Sequence, residues 1–118
     1  MAGHRALPGE TVRQIARSQA LFRTINERIN EIARDHGLAE GFAILCECAS
    51  TECQERVELT QGEYEQLRQM PTHFAVVRDH DIPAVERVVQ ANDRFLTVEK
   101  LGDSGVIATM LDPRRRQT

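Results

Sequence analysis

At 118 residues and a formal net charge of −3, the chain has the size of one domain with one modest core. One tyrosine, four phenylalanines and no tryptophan leave almost no aromatic platform on which bases could stack, which argues against single-strand nucleic-acid binding. No apolar run approaches the ~20 residues that span a bilayer, and Met1-Ala2-Gly3-His4-Arg5 leads into no secretory hydrophobic segment, so a cytoplasmic protein without a membrane partner is expected.

Residues 1–10 read as a flexible lead, residues 11–111 as a single domain and residues 112–118 as a polar, frayed tail. After Pro8-Gly9, Thr11 and Gln14 have capping-box spacing, and Val12, Ile15, Phe22, Ile25, Ile29 and Ile32 recur as one face of an amphipathic helix does. Gly37, able to take a positive φ, supplies the stop. Such a helix of roughly 24 residues would be about 36 Å long, and its first half is expected to project beyond the core. Arginines 13, 17, 23, 28 and 34 fall mostly off the apolar stripe and read as a solvated face, with a partner-binding surface or nucleic-acid contact as alternatives. Residues 40–69 instead carry seven glutamates against two arginines, an acidic surface unsuited to phosphate.

Phe42 to Leu45 reads as a buried strand and Arg56 to Leu59 as a half-buried one. Thr60 and Glu63 form a second capping box, opening a short helix that turns Tyr64, Leu67 and Met70 toward the core before Pro71. His73 to Val77 reads as a strand, followed by the polar loop from Arg78 to Pro83. Val85–Gln90 and Arg94–Lys100 read as a hairpin turning at Ala91-Asn92-Asp93, with a helix from Ala84 to Ala91 as the alternative. Gly102 to Gly105 reads as a flexible turn, and Val106 to Leu111 as either a short helix or an edge strand.

Chemistry concentrates in one stretch. Cys46, Cys48 and Cys53 are the only cysteines. If the strand runs on to Cys48, its period of two puts the sulfurs of Cys46 and Cys48 on one face and Glu47 on the other, while the turn from Ala49 to Glu52 can return Cys53 beside them. An odd set of three thiols in a reducing compartment points to metal or redox chemistry rather than a disulfide framework. Three converging thiolates make three-quarters of a tetrahedral zinc site, and one of His4, His36, His73 or His80 would complete it. His80 is favoured over His73 because a loop can turn its imidazole to the metal. The alternatives are that the cysteines are small buried hydrophobes or reactive thiols, the latter disfavoured by Glu47, Glu52 and Glu55. No glycine-rich phosphate loop, Gly-x-Ser-x-Gly elbow or His-Glu-x-x-His motif is present, so no catalytic residue is assigned.

The residues Cys46-Glu47-Cys48…Cys53, Leu59-Thr60…Glu63-Tyr64 and His80…Pro83 together resemble a group of small uncharacterised bacterial proteins. These share a Cys-Glu-Cys…Cys segment, a Leu-Thr-x-x-Glu-Tyr turn and a Gly-His-Glu-x-Pro-like loop. The resemblance covers roughly residues 21–100 and implies that His80 belongs to the site, with Asp79 standing where glycine is usual and Asp81 where glutamate is usual. It implies no activity.

The expectation is therefore an α+β domain, with a long N-terminal amphipathic helix packed on a small, mainly antiparallel sheet and a structural zinc clamp of Cys46, Cys48, Cys53 and His80. Its expected role is a non-enzymatic interaction or regulatory module that docks on another protein. A nucleic-acid-binding regulator and a thiol-based redox or metal sensor are the alternatives.

Overall fold

The computed structural model describes residues 7–117; most of the lead, including His4, lies outside them. Helix α1 (Gly9–Asp35) is followed by strands β1 (Phe42–Leu45) and β2 (Arg56–Leu59), helix α2 (Gln61–Leu67), strand β3 (His73–Val76), strands β4 (Glu86–Ala91) and β5 (Leu96–Lys100), helix α3 (Gly102–Met110) and a closing 3₁₀ turn (Pro113–Gln117). The fold is α+β. Its strands form two antiparallel sheets, a β1–β2 pair and a three-stranded sheet of order β3-β5-β4. No helix among the described residues is long and apolar enough to cross a membrane.

Local chemistry explains most element boundaries. The helix α1 starts at Gly9, two residues before the Thr11 capping box expected, because the Pro8 carbonyl accepts the first helical bond from the Val12 N–H at 3.0 Å and no side chain caps the end. It stops as expected: Gly37 has φ of 72° and the Leu38 N–H returns to the Ala33 carbonyl at 2.9 Å, a Schellman closure. At α2 the Thr60–Glu63 box is complete in both directions. Tyr64 and Leu67 are buried beneath it, whereas Met70, beyond the last turn, is exposed. The hairpin forms in place of the alternative helix, because Asn92 Oδ1 accepts the Arg94 and Phe95 N–H groups and locks the turn. The segment from Gly102 to Gly105 is the first turn of α3 rather than a flexible loop. A Cβ on Gly105 would come within 2.9 Å of the Lys100 carbonyl, so the glycine permits a close helix–strand approach.

The packing of α1 departs most from its sequence pattern. Its buried residues are Ala16, Gln19, Ala20, Arg23, Asn26, Glu27, Asn30 and Ala33. The first half does not project free, since burial begins at Ala16, and Arg23 is not on a solvated face but fully enclosed. Its guanidinium donates to the Pro71 carbonyl at 2.5 Å and to the Ala108 carbonyl at 2.6 Å, and lies 4.3 Å from the centre of the Phe74 ring. By contrast Ile25 and Ile32, on the apolar stripe, are exposed. Small and polar side chains win the inner face because β1 and α3 approach closely there, and their free backbone groups need hydrogen-bond partners.

The chain beyond α3 is fastened rather than frayed at Asp112 and Arg114. The buried Arg68 pairs with Asp112 and, at 3.1 Å, with Glu27. Arg114 bonds Glu27 at 2.9 Å and both oxygens of Glu65 at 2.9 Å, while Tyr64 donates its hydroxyl proton to Glu27 at 2.6 Å. Burial pushes the Glu27 carboxyl upward, but the bonds from Arg114 and Tyr64 outweigh it and the net direction is down. Arg114 likewise lowers Glu65, and Arg94 holds Glu63 down at about 2.

A carboxylate whose folded pKa lies below its unfolded value stabilises the protein above the unfolded pKa, and that stabilisation is lost as pH falls through the folded value. The contribution of Glu27, Glu63 and Glu65 to thermal stability should therefore be constant above about pH 5 and decline steadily toward about pH 2, the window set by an unfolded glutamate near 4.3. In Arg114→Ala the melting temperature at neutral pH should be lower and the acid decline shallower. A variant that keeps the full acid decline would show that these pairs do not carry it.

Candidate metal centre

The strand β1 builds the site by changing partners. Up to Leu45 it pairs with β2, Leu45 lying opposite Arg56, and the Cys46 N–H still reaches back to the Glu55 carbonyl at 3.2 Å. One residue on, the Glu47 N–H donates to the Ala75 carbonyl of β3 at 2.8 Å. The extended chain thus crosses from one sheet to the other at the cysteines. Alternation puts Cys46 and Cys48 in a core cluster with Phe74, Val76, Leu96, Val98 and Ala108.

Glu47 faces the opposite way and is completely buried. Its carboxylate accepts the Ala75 N–H at 2.9 Å and the Asn26 side-chain amide at 2.9 Å. The same Asn26 grips the Leu45 peptide group, accepting from its N–H at 2.8 Å and donating to its carbonyl at 2.9 Å, and Gln19 donates to the Glu47 carbonyl at 3.0 Å. Burial raises the pKa of Glu47 against these bonds and the fields of Arg23 and Arg68. The Cys-Glu-Cys backbone is therefore held from both sides.

The other two side chains arrive on loops. After Cys48 the chain turns at Ser50, whose carbonyl accepts the Cys53 N–H at 3.3 Å and whose hydroxyl accepts the Glu52 N–H at 3.2 Å. This brings Cys53 back to its neighbours. His80 follows β3 in a tight turn closed by its own N–H on the Val77 carbonyl at 2.9 Å, with Asp79 at a φ of 70°. The exit of that loop is pinned by the Ile82 N–H on Glu86 Oε2 at 2.8 Å, and Glu86 is in turn held by Lys100 at 2.7 Å.

His80 Nδ1 lies 3.6 Å from Cys46 Sγ and 3.5 Å from Cys53 Sγ. The donor atoms of Cys46, Cys48, Cys53 and His80 all fall within 4.8 Å of one another. One ring nitrogen has a single proton or a single lone pair and cannot satisfy two thiols at once. A cation between them can. Four donors at such spacing could hold a metal ion, and the Val77 N–H, 3.2 Å from Cys46 Sγ, supplies a dipole that favours a thiolate there. Burial raises the pKa of both Cys46 and Cys48, a direction that disfavours a free thiolate at either sulfur.

The other two histidines among the described residues are placed elsewhere. His73 is half-buried at the start of β3, opposite Glu99, and His36 caps α1, its Nδ1 2.9 Å from the Ile32 carbonyl. Glu47, Asn26 and the Val77 N–H support the site and were not singled out in this role from sequence. The alternation that turns Glu47 away from the sulfurs was legible; its partners, distant in the chain, were not.

Two stability measurements test this frame. Glu47→Ala leaves the Ala75 N–H and the Asn26 amide without their acceptor and should cost about 2–3 kcal/mol in urea unfolding, against about 0.5 kcal/mol or less for the exposed Glu58→Ala. Asp79→Val forces a β-branched residue into the left-handed region and should cost about 1–2 kcal/mol, while Asp79→Gly should be tolerated. Equal stability of the two Asp79 variants would contradict the turn geometry.

A scan against models of known families finds no match for this chain, and neither curated proteins nor solved structures yield one, so the functional reading rests on the donor set and its geometry.

Proposed function

We propose that the chain is a zinc-binding module in which Cys46, Cys48, Cys53 and His80 complete one closed, structural site, and that it acts by presenting surfaces to another protein rather than by turnover. The observation that carries the zinc reading is a distance. Zinc bonds of about 2.3 Å to sulfur and about 2.05 Å to nitrogen, at tetrahedral angles, separate sulfur from nitrogen by about 3.6 Å. Two of the three sulfur–nitrogen separations in the site, from His80 to Cys46 and to Cys53, are 3.6 and 3.5 Å. Three sulfurs and one imidazole are also a donor set that suits zinc better than the hard cations calcium or magnesium.

Two features favour a structural over a catalytic ion. Four protein donors fill a tetrahedron and leave no position for a substrate or water. The nearest buried carboxylate, Glu47, is committed to Ala75 and Asn26 and faces away from the sulfurs, so it is not a general base for the site. The left-handed backbone at Asp79, at the position where the resembled bacterial group carries glycine, supports kinship with that group.

Purified protein should contain about one zinc per chain by elemental analysis, and cobalt substituted for zinc should give the intense visible bands of a tetrahedral thiolate site. Cys53→Ser and His80→Ala should each bind zinc at least about tenfold more weakly. Full zinc retention in His80→Ala, or absence of zinc from protein refolded in its presence, would overturn the reading.

A further inference from the structure

We propose that two copies of the chain pair through the outer face of α1, with the two helices antiparallel. The helix turns its small and polar residues inward and leaves part of its apolar stripe outside: Leu21 is 58% exposed, Ile25 38% and Ile32 44%. At 100° per residue these three lie within about 40° of one another on the helix surface. With Ser18 and the aliphatic stem of Arg28 they continue a three-four-three-four repeat, the spacing that interlocks with a second helix of the same kind. Among the described residues no other helix matches it, α2 having 7 residues and α3 having 9.

Charge selects both the occupant and its direction. Arg17 and Asp35 are exposed and, 18 positions apart, occupy the same angular position beside the strip. An antiparallel pair centred between Asn26 and Glu27 sets Leu21 against Ile32 of the second copy and Ile25 against its Arg28 stem. It also brings Arg17 of each copy to within one residue, about 1.5 Å along the axis, of Asp35 of the other, twice by symmetry. A parallel pair would carry the Arg17 and Asp35 flanks of the two copies to opposite sides of the seam and leave both charges without that partner. The face is therefore complementary to itself only when reversed. A strip about 27 Å long and about 10 Å wide offers on the order of 300 Å² per copy, below the ~800 Å² of a standard interface, so the association is reversible and weak.

Sedimentation equilibrium of the full-length chain between about 1 and 500 µM tests the proposal over the affinity range such an interface allows. The expected result is a monomer–dimer equilibrium. Ile25→Glu should raise the dissociation constant at least about tenfold with an unchanged far-ultraviolet circular dichroism spectrum, since the position is exposed. Arg17→Asp should weaken the dimer severalfold, and Arg17→Asp combined with Asp35→Arg should restore it. A monomer throughout this range, or a dimer indifferent to Ile25→Glu but broken by Val106→Glu on α3, would overturn the proposal; failure of the charge exchange to rescue would overturn the antiparallel pairing. The argument rests on α1 alone and stands apart from the zinc reading.

Discussion

The buried carboxylate between two cysteines is the constraint on which the rest of the molecule depends. Glu47 cannot leave its place without stranding the Ala75 N–H and the Asn26 amide, and an unsatisfied buried donor costs about 1–3 kcal/mol. Its position fixes the crossing of the chain from the small sheet to the larger one. That crossing in turn aims Cys46 and Cys48 at the loops bearing Cys53 and His80. A metal ion there would find two ligands already held in a packed frame and would have only the two loops to draw in.

The same logic governs α1. Its inner face works as a row of hydrogen-bonding teeth: Gln19 on the Glu47 carbonyl, Arg23 on the carbonyls of Pro71 and Ala108, Asn26 on both polar groups of Leu45, Glu27 on Tyr64, Arg68 and Arg114. Each such bond adds only about 0.5–1.5 kcal/mol net. Each is also specific to one partner, so the set defines a single docking position for the helix more sharply than apolar contact would. Apolar burial is supplied instead by two clusters, one around Ile44, Val57, Tyr64 and Phe95, the other around Phe74, Val76 and Val98 with the cysteines. The outer stripe of α1 is thereby released for a surface role.

The elements set by local chemistry were legible in the sequence. The capping box at Thr60, the glycine stop at Gly37, the alternation in Arg56 to Leu59 and the Asn-Asp turn of the hairpin each depend on residues a few positions apart. The grouping of three cysteines within eight positions was legible for the same reason, and loop placement favoured His80 for the fourth corner. What went astray involved distant partners. Arg23 reads as a surface arginine until Pro71, Phe74 and Ala108 surround it, and the terminal segment reads as loose until Arg68 and Glu27 meet Asp112 and Arg114. Gly105 reads as a loop glycine until the Lys100 carbonyl comes within reach of its absent Cβ.

By itself, the amino-acid sequence determined the α+β class, the order of nearly all elements and the cysteine loop as the place where chemistry is concentrated, because period, capping and turn signals act over short separations. Only the tertiary structure decided which face of α1 lies inside, which histidine meets the sulfurs and what Glu47 holds. Those outcomes follow from hydrogen bonds and close approaches between segments 19 to 87 residues apart, and an apolar stripe carries no record of a polar partner that must be satisfied elsewhere in the chain.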